Sequence, residues 1–267
     1  MPAQPYTIVI PARYASSRFP GKPLHMLNGV PMILHTAQRA AESAAELIVV
    51  ATDDKRIADV CLAAGIEVEM TREDHPSGTD RIAEVALRRQ WNSERVIVGL
   101  QGDEPATQSM HLDLLAANLQ GNEQADMATL CMSIESLADY QDPNRVKVVR
   151  DHRDMALYFS RASIPARRDA LLSPAGADAG AGEFPQAWLH IGLYAYRCGY
   201  LRQYQSYAPC PLEQEEQLEQ LRVLYNGGRI HVGSVQSSPA RGVDTPEDIA
   251  VLELLLASQS DLKTGNT

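Results

Sequence analysis

The first half of the chain alternates between short apolar runs and longer amphipathic segments. The apolar runs are continuous and rich in β-branched residues, which is typical of strands buried on both faces of a parallel sheet. They predict strands at residues 6–10, 47–51 and 95–100, and a short further strand is predicted at 66–70. Helices are predicted at 31–45, 77–90 and 110–119. A further helix is capped by Thr52 or Asp53 and runs to about residue 64. Repeated strand–helix units predict an α/β fold with a doubly wound, mostly parallel, Rossmann-like sheet.

The second half is less regular. Apolar runs predict strands at 127–134, 146–150, 155–160, 188–196 and 229–236, and leucine spacing predicts a helix at 212–225. Thr245 and Pro246 give a clear start to a last helix. Residues 165–187 form a long loop of low apolar content, which is typical of a functional lid or a disordered segment. We expect one domain over residues 1–258, with a smaller lobe at about 135–235 and a polar tail over 259–267.

Composition restricts the classes of partner. The chain has 267 residues and a formal net charge of −10, which argues against a general binder of nucleic acid or of anionic membranes. Neither a transmembrane helix nor a signal peptide is expected, because no apolar run is long enough and no basic segment precedes one at the N-terminus. The four cysteines form no CxxC pair, which indicates reduced thiols in a cytoplasmic protein.

A basic loop follows the first strand. It carries Arg13, Arg18 and Lys22, and no Asp or Glu occurs before Glu42 in this acidic chain. Guanidinium groups bind phosphate oxygens in pairs, lysine adds a point charge, and Gly21 lets the backbone approach a ligand closely. Neither a Walker A motif nor a GxGxxG motif is present, so the loop predicts a polyphosphate site of another kind. The alternative is a solvated surface loop.

Polar motifs follow two other predicted parallel strands, at Thr52-Asp53-Asp54 and at 101–105. Ligands of open α/β sheets bind at the carboxyl ends of the strands, so these motifs are expected to converge with the basic loop. Asp103, beside a glycine, is a candidate for the carboxylate that holds Mg²⁺ against a polyphosphate, although a helix cap is the commoner role. Asp244 is a second candidate, with capping of the last helix as an equal alternative.

Further candidates carry weaker signals. The segment that begins at Ser77 offers hydroxyls and free N–H groups at a helix start, which suit a base or a phosphate but also suit plain capping. Arg161 ends an apolar strand, and His190 and Tyr194 are four residues apart on one predicted strand and therefore share a face. The alternatives are that His190 is an ordinary core histidine and that Glu219 and Gln220 lie on an ordinary helix surface.

Residues 10–24 resemble the signature of the CMP–sugar-acid synthetases. Other segments are similar to the branch of that family that activates 3-deoxy-manno-octulosonate (Kdo), and they cover nearly the whole chain: 50–53, 77–79, 98–105, 156–162, 190–194, 218–222 and 242–248. Two positions depart from the family pattern, with Asp80 in place of a glutamate and Ala166 in place of a tryptophan, and residues 167–187 match nothing in it.

The resemblance implies a cytoplasmic, dimeric nucleotidyltransferase that uses Mg²⁺ to form CMP-Kdo and pyrophosphate from CTP and Kdo, for lipopolysaccharide inner-core synthesis. It implies that Arg13, Arg18 and Lys22 hold the triphosphate and act in catalysis with Asp103. It further implies the following sets: a nucleotide site of Pro11, Ala12, Arg13, Lys22, Ser77, Gly78, Thr79, Arg81, Gln101 and Gly102; a metal site of Asp103 and Asp244; and a sugar-acid site of Arg161, His190, Tyr194, Glu219 and Gln220.

Several alternatives remain open at this point. A CMP-sialate synthetase or a hexose-1-phosphate nucleotidyltransferase is disfavoured by the matches in the second half of the chain. An enzyme that acts on an amino-substituted Kdo is a closer alternative than these two, because the motifs do not separate it from an enzyme that acts on Kdo. A glycosyltransferase would use an acidic motif such as that around Asp103 but would release no pyrophosphate. A non-catalytic nucleotide sensor has little support because Asp103 and Asp244 are both present.

Overall fold

A computed structural model describes residues 5–15, 19–166, 168, 187–236, 242–243 and 248–264, with side chains of the last helix as far as residue 256. Arg18, Asp244 and most of the predicted 165–187 loop lie outside the described residues. Among the residues described, no helix is both long and apolar enough to cross a bilayer. All four cysteines are buried free thiols.

The strands are β1 (Thr7–Ala12), β2 (Met26–Leu27), β3 (Val30–Pro31), β4 (Leu47–Thr52), β5 (Glu67–Met70), β6 (Val96–Gly99), β7 (Met127–Ser133), β8 (Lys147–Arg150), β9 (Ala156–Ser160), β10 (Trp188–Arg197) and β11 (Ile230–Ser234). The helices are α1 (Met32–Ala41), α2 (Lys55–Ala63), α3 (Gly78–Arg88), α4 (Ser109–Gln120), α5 (Leu137–Gln141), α6 (Cys198–Tyr204), α7 (Pro211–Glu216), α8 (Leu221–Tyr225) and α9 (Asp248–Thr264), with a 3₁₀ turn at Lys22–Leu24.

One mixed sheet organises the molecule. Its order is β11-β7-β10-β6-β1-β4-β5, with the β8–β9 hairpin attached through β8 to β10. The half formed by β6, β1, β4 and β5 is parallel throughout. β10 is antiparallel to both β6 and β7, whereas β11 runs parallel to β7. The predicted α/β class with a mostly parallel sheet is therefore confirmed, with β10 as the strand that makes the sheet mixed.

Helices cover both faces of the sheet. Ile8 and Ile10 of β1 point to a core shared with α1, α2 and α4, and Val9 points to the opposite core, shared with α3 and α6. The alternation follows from the two-residue period of a strand, and it explains why the strand sequences read as continuous apolar runs. The carboxyl ends of β1, β4 and β6 are thereby held side by side at one edge.

Four local predictions require correction. The helix predicted at 212–225 is broken into α7 and α8, because Gln217 adopts the left-handed region at φ 52°. The cap of α2 is Asp54, not Thr52 or Asp53, because the Asp54 side chain accepts the N–H of Arg56 at 2.8 Å. The first helix ends at Ala41, whereas the last continues to Thr264, beyond the expected start of the polar tail.

Candidate active site

A cavity of about 200 Å³ opens at the carboxyl edge of the parallel strands. The loops after β1 and β6 and the start of α3 form its walls. Its lining comprises Pro11, Ala12, Arg13, Lys22, Pro23, His75, Pro76, Ser77, Gly78, Arg81, Gln101, Gly102 and Asp103. The structure therefore brings every predicted nucleotide-site residue to one cavity except Thr79, and Asp103 joins them. Their assignment as nucleotide ligands stays a prediction.

Backbone contact between the two loops sets the floor of the cavity. The N–H of Gly102 donates to the carbonyl of Pro11 at 3.2 Å, which continues the pairing of β6 with β1 beyond the strand. A Cβ at position 102 would lie 3.2 Å from the Cβ of Ala12 and from the Pro11 oxygen. Glycine is thus needed here for the close approach of two chain segments.

The basic loop is closed at its base by Tyr14 and Gly21. The N–H of Gly21 donates to the Tyr14 carbonyl at 3.0 Å, and a Cβ on Gly21, whose φ is +72°, would lie 3.1 Å from the Tyr14 ring. On the same ring, the Arg56 guanidinium lies 3.4 Å from the centroid, and Asp54 holds Arg56 with hydrogen bonds of 3.0 and 2.6 Å. Arg13 is exposed at the cavity.

Lys22 lies at the centre of the charged end. Its Nζ donates to Oδ2 of Asp103 at 2.5 Å and to the carbonyl of Val243 at 2.6 Å. The N–H of Val243 in turn donates to the Asp103 carbonyl at 3.0 Å. The segment that ends at Val243 is therefore fixed beside Asp103, and Asp244 is the next residue in the chain.

Ser77, Gln101 and Arg81 form the other end of the cavity. Ser77 caps α3 by accepting the N–H of Asp80 at 3.2 Å. A Cβ at Gly78 would lie 2.7 Å from the Gln101 amide nitrogen, so glycine makes room for that amide. Arg81 is buried, and its guanidinium donates to Thr71 at 2.5 Å and to Asp53 at 3.2 Å. The acidic motif after β4 thus orients Arg81, a role that its position in sequence did not indicate.

Thr79 does not line the cavity. Its side chain is 2% exposed and points to the opposite side of α3. Its Oγ1 donates to Oε1 of Glu219 at 2.7 Å and lies 2.9 Å from the Tyr196 hydroxyl. A side chain predicted for the nucleotide and one predicted for the sugar acid are therefore hydrogen-bonded to each other.

His190 and Tyr194 lie on one face of β10, as predicted, with ring centroids 5.5 Å apart. His190 Nε2 lies 3.0 Å from Thr129 Oγ1, and burial lowers the pKa of its imidazole to about 3. Burial raises the pKa of the Tyr194 phenol well above its usual value. The pairing of β10 with β7 shifts between Ile191 and Tyr194, and Thr129 spans the irregularity by bonding the carbonyls of Ile191 and Leu193.

The Arg161 guanidinium is occupied by main-chain oxygens. It donates to the carbonyls of Glu216 at 2.7 Å, Pro143 at 3.0 Å and Gln217 at 3.5 Å. Lys147, which is fully buried, donates to the Arg161 carbonyl at 2.7 Å and to two further carbonyls at 2.6 and 2.8 Å. Arg161 therefore anchors the break between α7 and α8, immediately before Glu219.

Glu219 and Gln220 lie in the turn that joins α7 to α8. Gln220 is 4% exposed, and its amide nitrogen has no hydrogen-bond partner within the part of the chain that the structure describes. Burial raises the pKa of the Glu219 carboxyl. These positions are not ordinary helix surface, because the break at Gln217 turns them inward.

The described residues contain no group of three or more His, Cys, Asp or Glu that could hold a metal ion. Sequence reasoning missed three lining residues, Pro23, His75 and Pro76. Of these, the buried His75 is hydrogen-bonded to Glu84 of α3. The backbone N–H of Arg72 also donates to Glu84 at 3.0 Å, so this carboxylate fixes the loop that leads to Ser77. The signal that could have found His75 is its place two residues before Ser77.

Comparison with known proteins gives consistent results. A family model described as Cytidylyltransferase matches residues 7–230. A 3-deoxy-manno-octulosonate cytidylyltransferase from Alkalilimnicola ehrlichii is 52% identical over 96% of this chain and 97% of its own length. One from Pseudomonas syringae pv. syringae is 48% identical over 94% of this chain and 98% of its own. A solved structure of CMP:2-keto-3-deoxy-manno-octonic acid synthetase complexed with CTP is 38% identical, covering 96% of this chain and 100% of its own, with a TM-score of 0.84.

Proposed function

Because the chain belongs to the cytidylyltransferase family, and within it to the 3-deoxy-manno-octulosonate cytidylyltransferases, we propose that its cavity carries out the reaction of that family. The enzyme transfers the cytidylyl group of CTP to the anomeric hydroxyl of Kdo and releases pyrophosphate. One observation supports placing this reaction in the cavity. The cavity brings Lys22 and Asp103 together with the start of α3 at the carboxyl edge of the sheet.

The charged end of the cavity suits the triphosphate. Arg13 and Lys22, with Arg18 of the same loop, supply cations for phosphate oxygens, and the N–H of Gly21 is hydrogen-bonded to the Tyr14 carbonyl at the base of the loop. At the other end, Ser77, Arg81 and Gln101 supply a hydroxyl, a guanidinium and an amide for the cytidine. Gly78 and Gly102 permit close approach of the backbone, and Pro11 and Ala12 complete the wall.

Mg²⁺ is part of the proposal, with Asp103 and Asp244 as its ligands. Asp103 fits the role because it lines the cavity and already holds a cation, the Lys22 ammonium. Two hydrogen bonds fix Val243 beside Asp103 and Lys22, and Asp244 is the next residue in the sequence. Mg²⁺ commonly takes one or two protein carboxylates and leaves its other positions to phosphate and water, so a larger acidic cluster is not needed. When bound, it supplies positive charge at the reacting phosphate.

The residues of the chain act mainly by positioning and by neutralising charge. The sugar hydroxyl attacks the α-phosphorus in line with the departing pyrophosphate, and Arg13, Arg18 and Lys22 stabilise the negative charge that develops on the leaving group. For the sugar acid we propose Arg161, which directly follows β9, His190 and Tyr194 on β10, and Glu219 and Gln220 in the α7–α8 turn. Arg161 contributes by anchoring that turn as described above.

The decisive experiment is pyrophosphate release from CTP with and without Kdo, followed by identification of the product. We expect release only when both substrates are present, with CMP-Kdo as the product. Two substitutions of substrate separate this activity from those of related nucleotidyltransferases. UTP or dTTP replaces CTP in one, and amino-substituted Kdo or sialate replaces Kdo in the other. Faster turnover with another sugar acid would reassign the acceptor. No pyrophosphate from CTP and Kdo, together with release of free CMP from CMP-Kdo when a sugar acceptor is added, would indicate a glycosyltransferase instead.

We further propose a cytoplasmic homodimer that supplies CMP-Kdo for the lipopolysaccharide inner core. Burial of all four cysteines as free thiols supports a reducing compartment. Support for a dimer comes from Leu157, which is 61% exposed on β9, a strand that pairs with β8 alone along its named length. Light scattering of the intact protein, compared with a Leu157→Lys variant, tests the dimer.

A further inference from the structure

The structure joins the nucleotide side and the sugar side at the start of α3, where the buried Thr79 hydroxyl is hydrogen-bonded to Glu219. We propose that Thr79 is a positioning residue for the sugar acid, which orients the Glu219 carboxylate, and that its side chain is not a nucleotide ligand. This inference rests on the proposed function, since it takes Glu219 to lie at the sugar-acid site.

The backbone of Thr79 lies beside the cavity, but its side chain points away from it. Thr79 is the second residue of α3, between two residues that line the cavity, Gly78 and Arg81. Its side chain nevertheless leaves the cavity and is 2% exposed. Oγ1 reaches Oε1 of Glu219 at 2.7 Å, across 140 positions in the chain. The first turn of α3 thus lines the cavity through Gly78 and Arg81 and holds Glu219 through Thr79.

The direction of the hydrogen bonds follows from proton count. A threonine hydroxyl has one hydrogen and can accept as well as donate. When Glu219 is ionised its carboxylate can only accept, so the Thr79 hydrogen goes to Glu219 and the Tyr196 hydroxyl at 2.9 Å donates to Thr79. The result is a chain of two donors directed at Glu219. From Tyr196 the ring contacts continue along β10 to Tyr194 at 6.1 Å and then to His190 at 5.5 Å.

Glu219 depends on these donors because its surroundings favour the uncharged acid. Burial raises the pKa of its carboxyl, and the nearby Asp80 raises it further. Hydrogen bonds from Thr79 and Ser77 act in the opposite direction. The Arg222 cation also lowers the pKa, but its guanidinium is committed to Glu213 through two hydrogen bonds. Tyr194, Tyr196 and Tyr204 complete the ionisable groups that face Glu219.

A pair of substitutions tests the proposal. Thr79→Val keeps the shape and the backbone N–H of the residue but removes the hydroxyl, whereas Thr79→Ser keeps the hydroxyl as a matched control. We expect Thr79→Val to raise the KM for Kdo about tenfold or more, the scale of a lost hydrogen bond to a charged group. CTP affinity of the sugar-free protein, measured by calorimetry, should stay within about twofold of wild type, and Thr79→Ser should restore the KM for Kdo.

Three results would overturn the positioning role. They are a loss of CTP affinity in Thr79→Val, an unchanged KM for Kdo, and equal impairment in Thr79→Ser. Melting curves of each variant check the fold. If Thr79→Val does not fold, Tyr196→Phe removes the outer donor and should raise the KM for Kdo with unchanged CTP affinity, and an unchanged KM there would contradict the inference. Failure of the proposed function is distinct, because wild-type protein would then release no pyrophosphate with Kdo.

Discussion

Lys22 and Asp103 are joined by an ion pair in which Nζ lies 2.5 Å from Oδ2, at the charged end of the cavity. The lysine side chain is 12% exposed and the aspartate side chain 31% exposed, so the pair is only partly open to solvent. The ammonium holds the same carboxylate that we propose for Mg²⁺. If Asp103 holds Mg²⁺ as proposed, the metal would take the place of the Lys22 ammonium on this carboxylate, and Lys22 would be free to contact phosphate.

The first prediction concerns Lys22. Lys22→Met should lower kcat/KM for CTP about 100-fold or more, because a charged donor to the leaving group is lost. Lys55→Met is the matched control, since Lys55 forms an exposed i,i+4 pair with Asp59 on α2 and lies at no predicted site. A Lys22 variant with the kinetics of the Lys55 variant would remove Lys22 from the site.

The second prediction concerns the metal. Asp103→Asn should reduce turnover about 100-fold or more without loss of the folded state, because an amide is a much weaker magnesium ligand than a carboxylate. Asp59→Asn, on the exposed face of α2, should match wild type. Chelation with EDTA should abolish pyrophosphate release, and added Mg²⁺ should restore it. Near-normal turnover of Asp103→Asn at saturating Mg²⁺ would contradict the assignment.

The third prediction separates backbone strain from loop shape. Gly21 and Gly29 both have positive φ, at +72° and +81°, but only a Cβ at Gly21 would meet another group, the Tyr14 ring at 3.1 Å. Gly21→Ala and Gly29→Ala should each lower the free energy of unfolding by about 1 kcal/mol. Gly21→Ala alone should weaken CTP binding, measured by calorimetry, because it displaces the ring at the base of the basic loop. Equal CTP affinities in the two variants would show that Tyr14 does not set the loop shape.

The fourth prediction concerns His190 and pH. Its pKa is about 3 in the folded protein and about 6.5 when unfolded, so between these values only the unfolded chain takes up the proton. Stability supplied by His190 is therefore present above pH 6.5 and is lost as pH falls, by about 2 kcal/mol between pH 7 and pH 5. His190→Gln, which can still reach Thr129, should show a smaller loss in urea unfolding over this range.

His152→Gln provides the comparison for this measurement, because His152 is an exposed histidine in a turn. The free energy of unfolding of His152→Gln should depend on pH as that of the wild type does. If His190→Gln and wild type lose the same free energy of unfolding between pH 7 and pH 5, then His190 takes up its proton in the folded protein and the environment described here is wrong.

The parallel half of the fold could be predicted because its signals are local. Buried strands read as continuous apolar runs, and the rule that ligands bind at strand ends placed Arg13, Lys22 and Asp103 together before any geometry was known. The residues of the sugar side were only weak candidates from their positions in the sequence, and their assignment to the sugar acid came from family resemblance. Nothing in the residues of β10 identifies its antiparallel place between β6 and β7, because that place depends on partners far away in the chain.

Other features escaped prediction for physical reasons. The break at Gln217 uses a left-handed residue with neither glycine nor proline to mark it, so leucine spacing suggested one continuous helix. Thr79 follows a cap, where a hydroxyl looks suited to a ligand, but the helix turns it toward Glu219. Arg161 looked free to bind a carboxylate because the sequence cannot show that main-chain carbonyls already occupy its guanidinium.

The position of β10 has a consequence for how the chain folds as it is synthesised. β6 and β7 leave the ribosome long before β10, yet both pair with it in the finished sheet. The unit of β5, β4, β1 and β6 can form early from local strand–helix contacts, but its β6 edge stays unpaired until residue 197 has emerged. Since an unpaired edge strand is open to association with other chains, the nascent protein is most exposed to aggregation during this interval.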